Sequence, residues 1–178
     1  MPKDRRPDGR SPGPTRPEKR DKAADKATAY GKALGLLARR EHSRRELGRK
    51  LRQGGYEAAE AAEALDRLGA QRYQDDERFG EMLVRSRSAQ GYGPLRLRAE
   101  LKSHGLSDAR IRALLEESDV DWAEVAAAQL RRRYGGKPAA DPAEKLRRAQ
   151  FLLRRGFPAS TVRGLTHAEV DELADESD

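Results

Sequence analysis

Leu101-Lys102-Ser103-His104-Gly105-Leu106 decides the fold, because its construction recurs about fifty residues to either side. Leu51-Arg52-Gln53-Gly54-Gly55-Tyr56 precedes it and Leu152-Leu153-Arg154-Arg155-Gly156-Phe157 follows, each a leucine, three residues, a glycine and an apolar residue. The copies also agree downstream. Ala61, Ile111 and Val162 stand six residues past the glycines, and Ala64, Leu114 and Leu165 stand nine past them, which is helical spacing. A unit used three times at this period is one supersecondary module stacked on copies of itself, since a single short helical module cannot bury its apolar face alone.

Outward from this unit, each copy reads as three helices. In the first, a helix with Leu34 and Leu37 is expected to end near His42. Ser43-Arg44-Arg45-Glu46 is a capping box that starts a second helix presenting Leu47 and Leu51. Gly54-Gly55 stops it, because glycine takes the left-handed conformation a helix end often needs, and a third helix carries Ala61, Leu65 and Leu68. The second copy opens at Asp75-Asp76-Glu77, whose carboxylates suit a helix N-terminus, and continues with Phe79, Met82 and Leu83. Gly91-Tyr92-Gly93-Pro94 breaks the chain before a helix with Leu97 and Leu101; Ser107 or Asp108 caps the next, with Ile111, Leu114 and Leu115 inward. The third copy starts near Asp121 with Trp122, Val125 and Leu130 on one helix, restarts at Asp141-Pro142-Ala143-Glu144, and ends through Val162 and Leu165. The expectation is an all-α fold of three tandem three-helix repeats in an elongated, curved array, with repeats at 27–70, 71–118 and 119–168.

Composition agrees with a thin helical array. Hydrophobic residues make up 36% of the 178 positions against 38% charged and 5% aromatic, which argues against a thick single core. Cysteine is absent, so disulfides and thiolate chemistry are excluded. No apolar run approaches the roughly 20 residues that span a bilayer, and the N-terminus lacks the apolar core of a signal peptide. A soluble cytoplasmic protein without membrane contact is expected, and a monomer is the simpler state.

Charge is distributed unevenly. The segment 1–26 holds five of the nine prolines, nine basic and five acidic residues, and reads as a disordered basic arm. The segment 169–178 is an acidic tail with six acidic and no basic residues. Against a total of +7, these leave +9 on the body between them. Such a body attracts polyanions in a salt-dependent way.

The ordered motifs Glu41-His42-Ser43 to Glu46-Leu47 to Lys50-Leu51, then Asp75-Asp76 to Phe79, then Gly91-Tyr92-Gly93-Pro94 to Glu100-Leu101 to Gly105-Leu106, then Arg155-Gly156-Phe157, resemble the bacterial RecX regulatory proteins. The resemblance covers roughly 33–165, and its most specific element is the tyrosine–glycine–proline turn running into the Glu100-Leu101 helix end. It implies three tandem three-helix repeats and a protein that binds the RecA recombinase filament and modulates its recombinase, ATPase and coprotease activities, with inhibition the expected direction and a link to DNA repair and the SOS response. The arm and the tail lie outside the motifs.

Candidate contact residues follow from exposed positive charge. Arg85, Arg87, Arg96, Arg98 and Lys102 of the middle repeat are one group, with Arg98 and Lys102 one turn apart. Arg39, Arg40, Arg44, Arg45 and Arg49 of the first repeat are the other; there like charges repel, and a partner anion relieves that cost. The competing reading makes these arginines solvated or paired internally, for example with Glu81 or Glu100, where they contribute little. Tyr92 can stack on a base or fill a partner pocket, but packing on its own turn is favoured.

Catalysis is not expected. His42, His104 and His167 are far apart in sequence, at helix ends or turns where capping and solvation account for them. Gly135-Gly136-Lys137-Pro138 lacks the length and hydroxyl of a phosphate-binding loop. Asp75-Asp76 reads as a helix cap rather than an acid–base dyad, and no cofactor or metal is implied. The alternative to filament regulation is a general DNA-binding helical protein that contacts phosphates without a protein target.

Overall fold

The computed structural model describes residues 28–168, and among these there are nine helices and no strand: α1 Ala29–Leu37, α2 Arg44–Gln53, α3 Ala58–Ala70, α4 Asp76–Ala89, α5 Pro94–Ser103, α6 Asp108–Glu116, α7 Trp122–Tyr134, α8 Pro142–Arg154 and α9 Ala159–Thr166. The expectations for the basic arm and the acidic tail lie outside the described residues.

The repeated leucine–glycine unit is a helix stop with one hydrogen-bond pattern used three times. Tyr56, Leu106 and Phe157 donate their backbone N–H groups to the carbonyls of Leu51, Leu101 and Leu152, while Gly55, Gly105 and Gly156 donate to the carbonyls one residue further on. This is the Schellman arrangement, and it requires a left-handed residue at the glycine. The three glycines have φ of 76°, 95° and 83°. The leucine and the apolar residue after the glycine meet in the core, so the stop also packs: Leu51, Leu101, Leu152 and Phe157 are fully buried.

Starts are equally local. Thr28, Ser43, Asp75, Ser107, Asp121 and Asp141 each accept a first-turn backbone N–H through the side chain, an interaction whose removal costs about 0.5–2 kcal/mol. Pro94 and Pro142 occupy the first helical turns of α5 and α8, where a missing N–H does no harm. The α1 helix ends at Leu37 rather than near His42. Arg40 explains the difference: its guanidinium turns to the Glu41 carbonyl and the Glu46 carboxylate, and its own carbonyl accepts from His42 Nδ1, so 38–43 are spent on a turn.

Each triplet closes on its own core. The first gathers Ala33, Leu47, Leu51, Leu65 and Leu68, the second Phe79, Leu97, Leu101 and Ile111, and the third Ala149, Leu152, Phe157 and Val162. Fully burying a side chain of leucine or phenylalanine size contributes about 1.5–3 kcal/mol. Trp122 and Val125, three residues apart and so on one face of α7 by spacing, nevertheless part. Val125 packs into the third core, but Trp122 and Val120 lie against the second, so the start of α7 belongs to the junction between repeats.

Candidate interaction surface

The two junctions between repeats are built differently, and they place most of the candidate cations. The first is polar. Asp76, at the start of α4, accepts from the Arg44 N–H at the start of α2 (2.8 Å) and from Gln74 Nε2 (2.8 Å), so one repeat caps a helix of the other. Arg78 reaches back to Glu41 (2.9 Å), and Ser43 Oγ meets His104 Nδ1 at 2.9 Å. Because Ser43 Oγ also accepts from the Glu46 N–H, it is assigned as donor to an unprotonated His104 Nδ1.

The second junction is made of backbone. The Gly93 N–H donates to the Arg155 carbonyl (2.8 Å) and the Leu95 N–H to the Gly156 carbonyl (3.0 Å). A side chain at either glycine has no room: a Cβ on Gly93 would stand 2.3 Å from the Gly156 oxygen, and one on Gly156 would stand 2.5 Å from Arg96 Cβ. Arg155 closes the turn by donating to the Gln90 and Gly91 carbonyls, each at 3.1 Å.

Several of the candidate cations are engaged within the chain. Arg87 grips Glu100 through Nε and Nη2 (2.9 and 2.6 Å); this pairing holds Glu100 below the ordinary carboxylate range despite its burial and raises Arg87. Arg40 binds Glu46 at 2.6 Å. Burial pushes Glu46 up, but hydrogen bonding to Arg40 and the charges of His42, Arg40 and Lys50 outweigh it, so its pKa falls. Arg44 meets Asp66 at 2.5 Å, and Lys102 and Arg98 share Asp108 at 3.2 and 4.0 Å. Arg96 lies over the Tyr92 ring at 4.3 Å, with Arg155 over the same ring at 5.5 Å. Tyr92 is therefore contacted by guanidiniums of two adjoining repeats.

Arg39, Arg45, Arg49 and Arg85 have no ion pair among the described residues. Arg45 and Arg49 are exposed one turn apart on α2. Arg49, Arg40 and Arg87 line one cleft of about 410 Å³ between the first two repeats, floored by Phe79, Met82 and Leu83. Arg85 lines a different cleft, of about 390 Å³, whose rim also carries Glu81, Glu117 and Asp119. The two groups of cations are thus dispersed over several surfaces.

Solvation does not account for two of the histidines. His42 is 2% exposed and His104 half-buried against Phe79, with ring centroids 4.6 Å apart; only His167 is exposed. Burial lowers the pKa of both His42 and His104. His42 bonds a carbonyl through Nδ1 and so carries its proton there. Among the described residues no group of three His, Cys, Asp or Glu side chains is placed to hold a metal ion, and no helix is long and apolar enough to cross a membrane.

The repeats coincide with three known domain types: RecX first, second and third three-helix domains match residues 29–68, 75–115 and 119–165. The regulatory protein RecX of Xanthomonas axonopodis pv. citri is 43% identical over 154 residues, covering 86% of this chain and 95% of that protein. The chain belongs to the RecX family. The regulatory protein RecX of Stenotrophomonas maltophilia is 42% identical over 88% of this chain and 96% of its own length. A crystal structure of regulatory protein RecX superposes with a TM-score of 0.65 at 25% identity, covering 79% of this chain and 70% of that one. RecX from Lactobacillus salivarius shares the fold, with a TM-score of 0.64 at 23% identity over 78% and 92% of the two chains. The relatives are regulatory proteins, which places this chain in a regulatory family.

Proposed function

We propose that this chain binds the RecA nucleoprotein filament in the cytoplasm and restrains its recombinase, ATPase and coprotease activities, in DNA repair and the SOS response. The observation that carries the reading is the near full-length likeness to regulatory RecX proteins across all three repeats. Physical support comes from the architecture: repeats in series touch several protomers of a polymer at once, and each weak contact gains from the effective concentration set by the others. In this proposal the units 27–70, 71–118 and 119–168 act as one monomeric clamp, and Arg45 and Arg49, exposed and without carboxylate partners among the described residues, meet acidic filament surface.

The test is RecA ATP turnover on single-stranded DNA with the full chain at substoichiometric ratios. Turnover should fall, and Arg45→Glu with Arg49→Glu should restore most of it without lowering thermal stability. No effect at any ratio sinks the proposal, and equal inhibition of an unrelated recombinase reassigns the effect to DNA.

A further inference from the structure

A third cationic site lies outside both groups above. At the junction of the second and third repeats, Gln90, Gln129, Arg132, Arg133, Phe151 and Arg155 line an open cleft of about 360 Å³ with no carboxylate among them. The way its arginines are fixed sets it apart. Many of the other guanidiniums are paired with a carboxylate, as in Arg40 with Glu46, Arg78 with Glu41, Arg87 with Glu100, Arg131 with Glu124 and Arg148 with Glu144.

Here the holding groups are rings and carbonyls. Arg133 lies 4.6 Å and Arg155 5.0 Å from the centroid of the same Phe151 ring, and Arg155 also donates to the Gln90 and Gly91 carbonyls. The two guanidiniums therefore stand within about 10 Å of each other, roughly one Debye length at 0.1 M salt, and neither has an ion pair among the described residues. Arg132, exposed and without an ion pair among the described residues, adds a third charge.

Part of this has a structural cause. Cations in the last turn of α7 answer the negative end of its dipole, which is worth about 0.3–1 kcal/mol each. Yet that does not bring in Arg155 from the end of α8, nor orient it without an anion. A cluster of planar donors without ion pairs among the described residues, two of them placed by a shared ring, suits a multidentate oxyanion. Three guanidiniums exceed the two oxygens of a carboxylate, and the flanking Gln90 and Gln129 amides extend the site beyond a single ion.

We propose that this cleft binds phosphate groups of a nucleic-acid strand, with Arg132, Arg133 and Arg155 as the contacting residues. The site does not depend on the RecA reading, since it requires only a strand.

The experiment is anisotropy of a fluorescent oligothymidylate titrated with the full chain across a salt series. Arg132→Glu with Arg133→Glu should weaken binding at least tenfold at 0.1 M salt and flatten the log–log salt slope by about 1.4, at about 0.7 for each phosphate no longer neutralised. Arg132→Glu alone, which removes no internal bond, should weaken binding about threefold. The comparison pair is Arg52→Glu with Arg112→Glu, equal in charge change, exposed and placed in the other repeats. An equal weakening in that pair overturns the site. Displacement of the oligomer by pyrophosphate means the cleft takes free phosphate as well, whereas weakening in the variants without such displacement assigns the strand itself; either supports the proposal. Binding of polyglutamate that depends on the same arginines, with no binding of oligomer or pyrophosphate, overturns it.

Discussion

Gly93→Ala tests the second junction with little else disturbed. Gly93 has φ −88°, which any residue adopts, so alanine adds no backbone strain of its own. Its Cβ would stand 2.3, 2.5 and 2.6 Å from the Gly156 oxygen, the Gly156 carbonyl carbon and the Phe157 nitrogen, where ordinary contact begins at 3.4 Å. All three are backbone atoms and cannot rotate aside, so the third repeat must withdraw by about 1 Å, enough to take bonds of 2.8 and 3.0 Å beyond useful length. Each bond contributes about 0.5–1.5 kcal/mol net, and a buried donor left unmatched costs about 1–3 kcal/mol, so the junction should lose about 2–4 kcal/mol. Trp122 is the single tryptophan, and it lies in the third repeat but against the second core, so its emission reports this junction. In urea its transition should move about 1–2 M lower in the variant, for m near 2 kcal/mol/M, ahead of the loss of helix by circular dichroism. Coincident Trp122 curves for variant and parent would refute the steric account.

Two further outcomes follow from the same geometry. His42 and His104 have pKa values depressed below 6.5, so the unfolded chain binds protons first. Stability present above pH 6.5 should therefore fall as pH drops toward their folded values, and Glu46 and Glu100, held below 4.5, add a second loss below about pH 4.5. Thermal scans at successive pH values check this, and a Tm that is flat from pH 7.5 to 5 contradicts the histidine part. Gly35 lies within α1 with nothing near its would-be Cβ, so Gly35→Ala should stabilise by about 0.5–1 kcal/mol; a lowered Tm rules that out.

What the sequence disclosed was local. The leucine–glycine stops are readable because a left-handed residue after a helix is a backbone requirement that glycine meets at no steric cost, and Ser43, Ser107 and Asp121 announce helix starts for the same kind of reason. The end of α1 is not readable in this way, because Arg40 turns the chain through side-chain bonds to Glu46, six residues on and in the next helix. Trp122 and Val125 share a face by spacing yet part at the junction, since a helix that begins between two cores can serve both. Asp75 caps its own helix as read, but Asp76 caps another repeat's, which no local pattern reveals. The candidate arginines stand out by charge, and charge does not tell Arg87, bound to Glu100, from Arg49, which has no ion pair among the described residues. Arg132 and Arg133 are neighbours in the sequence, but Arg155 does not stand out with them, because Phe151 brings it beside Arg133 only in three dimensions.

The contrast between the two junctions has a mechanical side. Side-chain bonds such as those of Asp76 and Arg78 can break one at a time, so the first junction yields in steps. The second and third repeats are riveted by main-chain bonds and glycine contacts that tolerate no slack. A load along the molecule should therefore be taken up first where the first two repeats meet, while Tyr92, with Arg96 and Arg155 against its ring, stays with the other two.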